Sequence, residues 1–290
     1  IGVLPTSPSN YFDGELAEIN FVDGQALAPT AFGAYSIYNQ WLPIAYAGTY
    51  GTNGFYLPFT NTASTSTLVA DSSGNANNWT PNNISLTAGS TYDSLTDVPT
   101  LTSTTVANYC TWNPLLNSSY TTLSNGNLKG FGNTATDSGL NVGTIGVSSG
   151  KWYWEITVQS LNSSTAFPGL GLICNIPASG NAIEPATSTT LGLKYRPNGA
   201  ISKNSAVVVG TFATFTTNDV ISFALDVDSL TCGVYKNNTL QTTVTGLTLN
   251  NQFFAASAAY DGSNQSVNFG QQPFTYTAPT GFLPLNTFNI

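Results

Sequence analysis

The chain has 290 residues, 41% hydrophobic, 12% aromatic and only 7% charged, against a charged share of about 25% in ordinary globular domains. Its net charge is −8, and all six cations (Lys129, Lys151, Lys194, Arg196, Lys203, Lys236) lie beyond position 128. That balance speaks against nucleic-acid binding and against adhesion to anionic membranes, both of which need clustered Lys and Arg, and the aromatic content speaks against disorder.

Residues 1–32 hold Tyr11-Phe12-Asp13-Gly14-Glu15-Leu16-Ala17-Glu18-Ile19-Asn20-Phe21-Val22-Asp23-Gly24. Alternation around Ile19 and Phe21 predicts a strand closed by an Asp-Gly turn. A lone strand cannot fold by itself, so it must add to a sheet in this or another chain. Residues 33–106 are aromatic but irregular, with Tyr35, Tyr38, Trp41, Tyr46, Tyr50, Phe55, Tyr56, Phe59 and Trp79 separated by Gly, Pro, Asn and Thr. They read as an extended linker or assembly strap that clings through its aromatics. Asp71-Ser72-Ser73-Gly74-Asn75 reads as a solvated turn, since too few carboxylates accompany it for a calcium loop.

Residues 107–290 read as one β domain. Strands are expected at 121–123, 143–147, 151–158, 169–174, 191–195, 205–215, 219–226, 230–236, 253–259 and 265–269. In Lys151–Val158, alternation places Trp152, Trp154, Ile156 and Val158 on one wholly apolar face, which must be buried. Ile221, Phe223, Leu225 and Val227 form a second such face. Short strands, Gly/Asn turns and no periodic helix predict an all-β sandwich or barrel. Three widely spaced cysteines without a CxxC read as small buried hydrophobes. No apolar run reaches transmembrane length and no signal peptide is seen. The absence of methionine raises the expectation of a processed product or of the ordered part of a longer polypeptide.

Catalytic signatures are scarce. No histidine exists, which removes the usual hydrolase triads and the commonest metal ligand. Asp226 and Asp228 are the one carboxylate pair at glycosidase-like spacing, about 7 Å along a strand; the plainer reading is a pair of surface residues ending that strand. Glu155, between aromatics, reads as a satisfied or exposed strand carboxylate. Lys194, Tyr195, Arg196 and Asn198 bring two cations and an aromatic to a turn, as either a partner-binding loop or a solvated one. No metal or cofactor is expected.

Four ordered pieces resemble a SPRY-type domain, a concanavalin-like sandwich of two antiparallel sheets. They are Gly150-Lys151-Trp152-Tyr153-Trp154-Glu155-Ile156, Asp219–Asp226, Gly233-Val234-Tyr235-Lys236-Asn237-Asn238, and Val267-Asn268-Phe269-Gly270-Gln271-Gln272-Pro273-Phe274 before Gly281–Leu285. Asn238 stands where that family usually has Gly, and Asn tolerates left-handed backbone. Asp13–Leu27 resembles the closing strand of a laminin-G-like sandwich in bacteriophage structural proteins. Gly51–Leu57 and Asp71–Asn83 resemble the pieces joining such a domain to a SPRY-like one. These resemblances imply a chain that begins at the end of a preceding sandwich. They also imply a non-enzymatic virion protein of a tailed phage: a fibre, appendage or capsid-surface component for assembly or host attachment. Its expected partners are other virion proteins, copies of itself, and host-surface glycan or protein. The alternatives are a carbohydrate-binding adhesin and a polysaccharide depolymerase using Asp226 and Asp228.

Overall fold

The computed structural model describes the chain except residues 1–2, 5–6, 12–13, 37–38, 40, 98–102, 117–118, 134–137, 162–167, 175–190 and 205–206, and the side chains of 3–4, 7–11 and 207. The chain divides into two compact units: Ile1–Thr87 with Thr91–Ser94, and Ala88–Ser90 with Leu95–Ile290. Residues 33–87 of the expected strap therefore fall in the first unit and residues 95–106 in the second. Among the described residues no helix is long and apolar enough to cross a membrane.

The first unit is built from short pieces. Strands β1 (Val3–Leu4) and β2 (Ser7–Tyr11) pair, as do β3 (Ile19–Phe21) and β6 (Phe55–Leu57), and β4 (Gly33–Tyr35) and β5 (Trp41–Pro43). One helical turn, α1 (Thr65–Leu68), is opened by a capping box in which the Ser64 and Thr67 side chains satisfy each other's backbone N–H. Among the described residues of this unit the apolar interior is small: Leu57, Leu68 and Val69 are buried, and Phe55 meets Trp79 edge-on at 5.3 Å. Side-chain hydrogen bonds do much of the remaining ordering. Asn75 donates to the carbonyls of Gly51 and Gly54, and Asn77 to those of Thr52 and Gly54.

The second unit is a two-sheet antiparallel β-sandwich. Its strands are β7 (Thr121–Ser124), β8 (Lys129–Gly132), β9 (Gly139–Val147), β10 (Lys151–Ser160), β11 (Gly169–Ile173), β12 (Gly192–Tyr195), β13 (Ala200–Lys203), β14 (Val207–Thr211), β15 (Val220–Asp226), β16 (Thr231–Lys236), β17 (Thr239–Val244), β18 (Phe253–Ala259), β19 (Asn264–Asn268) and β20 (Leu283–Pro284). One sheet runs β17-β16-β15-β10-β19-β8-β7 with β20 beside β10, and the other β14-β13-β12-β11-β18-β9. Every pairing is antiparallel except β10 with β20.

The alternation read from sequence sets this core. Trp152, Trp154, Ile156 and Val158 of β10, with Ile221, Phe223 and Leu225 of β15, share one buried cluster with Leu170, Leu172, Leu193 and Tyr195 of the facing sheet. Register places Trp154 opposite Phe223, and their rings stack at 5.4 Å. The thiols of Cys110, Cys174 and Cys232 are free and buried, and burial pushes that of Cys110 up to about 12. At the β16–β17 turn Asn237 and Asn238 both have positive φ, 46° and 66°, the backbone a two-residue hairpin turn demands. Asn238 thus replaces the glycine without changing the turn.

The outer face of β10 is covered as well, which alternation alone did not show. Leaving β19, the chain passes Gly270, whose φ is 108° and whose added Cβ would fall 2.3 Å from the Pro284 side chain. It then crosses Glu155 and returns as β20 alongside Trp152 and Tyr153. Phe274 meets Tyr153 edge-on at 4.8 Å.

Candidate functional site

Within the loop singled out from sequence, strand alternation separates the four residues. Leu193 and Tyr195 of β12 face the sandwich interior; Tyr195 is fully buried, packs edge-on against Phe215 at 5.0 Å and donates its hydroxyl hydrogen to the Ala213 carbonyl. Lys194 lies on the opposite face and is 3% exposed. Arg196 is half-buried and Asn198 exposed, and the Asn198 side chain accepts from the Ala200 N–H at 3.0 Å, holding the turn into β13. Proximity in sequence grouped these residues; the strand leaves Arg196 and Asn198 as the surface of that loop.

The carboxylates are engaged by their own surroundings. Asp226 ends β15, pairs with Lys151 at 3.1 Å and accepts from the Ser229 N–H. Desolvation would raise its pKa, but these two donors outweigh it and hold the carboxyl below the usual aspartate range. Asp228 sits two residues past the strand end in an exposed turn and accepts from the Gly150 N–H at 3.1 Å. They therefore brace one end of the sheet: the sequence puts both on one strand face, but Asp228 lies beyond the strand, so the plainer reading of residues ending that strand holds and the catalytic spacing does not. Glu155 is 1% exposed. It accepts from the Tyr153 hydroxyl at 3.0 Å and from the Tyr276 and Thr275 N–H groups at 2.9 and 2.7 Å. Burial raises its pKa despite these three donors, and its role is to fasten the C-terminal crossing to β10. Asp219, another family-motif residue, accepts from the Thr216 N–H at 2.8 Å, the Asn237 amide at 2.6 Å and the Lys236 ammonium at 3.2 Å.

Asp71, at the head of the faint calcium-loop stretch, is likewise filled by donors. It accepts from the N–H groups of Tyr56, Ser73 and Asn77 and from the Ser73 hydroxyl, all at 2.8–2.9 Å. A carboxylate ringed by hydrogens offers a cation no lone pairs. Asp71 thus organises the turn, while Ser72, Gly74 and Asn75 stay exposed, in keeping with a solvated turn.

What the first unit offers instead is apolar surface. Leu16, Phe21, Leu27, Tyr35, Trp41 and Ile44 are all exposed, which puts nearly half of the exposed large hydrophobics identified among the described residues into one tenth of the chain. Tyr35 (67% exposed) and Trp41 (44%) face each other across the β4–β5 pair, ring edge to ring face at 5.0 Å. Apolar side chains scattered singly over a surface are ordinary; Tyr35 and Trp41 differ in being two large exposed rings in direct contact. The sequence signalled Tyr35 and Trp41 through their irregular, Gly-rich surroundings. It gave no sign that Leu16, Phe21 and Leu27 stay exposed, because strand alternation alone marks Phe21 for burial. A shallow depression in the same unit is lined by residues 48–52, Ser73 and Asn75.

No protein-family model and no curated protein matches this chain. Among solved structures it is similar to the SPRY domain of human HERC1, at 18% identity over 54% of this chain and 96% of that one, with a TM-score of 0.44. It is also similar to the TRIM65 PSpry domain, at 14% identity over 56% and 92% with a TM-score of 0.43. A third likeness is to stonustoxin, at 16% identity over 55% of this chain but only 27% of that one, with a TM-score of 0.43. At these scores the likenesses carry no weight beyond the sandwich that strand order already describes.

Proposed function

We propose that this chain is a non-enzymatic structural protein of a tailed-phage virion. The sandwich is its scaffold, and the exposed apolar set of the first unit is its contact with neighbouring virion proteins or further copies of itself. The observation that carries the reading is the Tyr35–Trp41 pair, large rings left in solvent in a protein that buries Trp112, Trp154, Phe223 and Phe269 almost completely. The engagement of Asp226, Asp228 and Glu155 by internal donors supports the non-catalytic half, since no carboxylate among them is poised as acid opposite base. The test is incorporation. A Tyr35→Ser/Trp41→Ser double variant should fold normally yet appear in purified particles at a small fraction of the wild-type amount; normal incorporation would remove the contact role.

A second reading, attachment to host-surface glycan, draws on the depression beside Tyr50, where a ring and several hydroxyl and amide groups converge. Glycan-array binding abolished by Tyr50→Ala would move the function there.

A further inference from the structure

The open edge of β3 offers a more specific contact. In an antiparallel pair, directly opposed residues either exchange both backbone hydrogen bonds or neither. Asn20 lies opposite Tyr56. The Tyr56 N–H, however, donates to the Asp71 carboxylate at 2.9 Å, and its carbonyl accepts from the Ser72 N–H at 2.8 Å. Tyr56 is spent on the far side of β6, so Asn20 and Tyr56 form a non-bonded pair. The Asn20 N–H and C=O consequently point away from β6, along an edge where no other described strand pairs.

The side chains agree. Phe21 lies opposite Phe55, two residues along from the fully buried Leu57, and stacks on Phe55 at 5.4 Å. It nevertheless remains 49% exposed. A ring on the inward face of a sheet stays half in water when the next strand position is empty. Two strands alone are marginal in water, so a third is the natural completion.

We propose that β3 pairs antiparallel with β3 of a second copy of this chain, centred on Asn20, so that the two Asn20 residues exchange both backbone hydrogen bonds. The sequence favours this occupant because the register is self-complementary. Phe21 of each copy falls beside Ile19 of the other, covering the exposed half-ring.

This inference rests on the assembly reading above and names its geometry. Its test uses the whole chain. Opposed residues exchanging both bonds lie about 5.5 Å apart at Cα, within disulfide range, and the native thiols are buried. Asn20→Cys should therefore give a covalent dimer under copper–phenanthroline oxidation, while Gln25→Cys, on the exposed turn outside the register, should not. In sedimentation, Asn20→Pro removes the outward N–H from both copies and should weaken pairing by about thirtyfold. Asn20→Ala loses the same side chain but keeps the N–H, and should pair like wild type. Should the proline variant fail to fold, the cysteine readout decides alone. No cross-linking above the Gln25→Cys background, or equal pairing of the Pro and Ala variants, overturns the proposal. If that happens while Tyr35→Ser/Trp41→Ser still blocks incorporation, the assembly reading survives without β3; if incorporation is also unaffected, both fall.

Discussion

The two units use the same residue types to opposite ends. In the sandwich, Trp112, Trp154, Tyr195, Phe223, Phe253 and Phe269 are all below 2% exposed and joined in one cluster between two sheets. In the first unit Phe21, Tyr35 and Trp41 stand 44–67% exposed while Asn, Ser and Asp side chains hold the backbone. An aromatic between two sheets stabilises the fold by the area it hides. An aromatic on a unit with a small interior keeps that area available for another surface. Aromatic content alone therefore says little about function; the layer behind the ring decides.

The largest expected effect lies in the sandwich. Trp154→Ala should destabilise it by about 3–5 kcal/mol, the usual cost of emptying a packed aromatic site, read from chemical denaturation. Next is the clamp on the outer face of β10. Glu155→Gln puts an amide NH2 where the carboxylate meets either Thr275 or Tyr276 N–H, setting donor against donor, and should cost about 2 kcal/mol. The same variant should loosen the C-terminal crossing, visible as faster hydrogen exchange at the Thr275 and Tyr276 amides. Asp219→Ala, which leaves the Thr216 N–H and the Asn237 amide without their acceptor, should cost about 1–2 kcal/mol.

Acid sharpens the same contrast. Desolvation raises the Asp219 carboxyl, but the Thr216, Asn237 and Lys236 donors outweigh it and hold the pKa below the usual range. Its contribution is therefore present above about pH 4 and lost as pH falls through the depressed folded value. Glu155 runs the other way. Burial raises its folded pKa, so the stability tied to it is complete below the ordinary glutamate range and declines as pH rises through the raised value. Urea midpoints against pH should show the acid limb flattened in Asp219→Asn and the decline on the higher side flattened in Glu155→Gln. The smallest effect belongs to the first unit: Tyr35→Ser/Trp41→Ser should change stability by no more than about 0.5 kcal/mol. A loss comparable to that of Trp154→Ala would mean those rings are core after all.

Most of the sandwich was legible because alternation survives wherever one strand face meets the opposite sheet. Trp152–Val158, Ile221–Leu225 and Phe253–Ala259 appear where the pattern put them. The strands that escaped are of another kind. Lys129–Gly132 is half glycine, Thr239–Val244 is a largely polar edge strand, and Ala200–Lys203 is a four-residue piece folding back from a turn. Leu283–Pro284 is held in register by neighbours rather than by propensity. The start of the expected strand at 205 lies outside the described residues. At the site, the loop 194–198 was found by composition, but composition does not report side-chain direction, and Tyr195 and Lys194 are buried for that reason. Glu155 reads from sequence as a satisfied or exposed carboxylate and the fold makes it the satisfied one; the two backbone donors that fasten it sit some 120 residues away, beyond any local pattern. The exposed apolar residues of the first unit were half visible, through aromatics in a segment with too little periodicity to bury them.

The proposed division of labour between the units is tested most directly by hydroxyl-radical footprinting of the chain alone and within the particle to which the proposal assigns it. The account expects Tyr35 and Trp41 to be strongly labelled in the isolated chain and protected in the particle, with Trp154 unlabelled in both. Equal labelling of Tyr35 and Trp41 in the two states would contradict it.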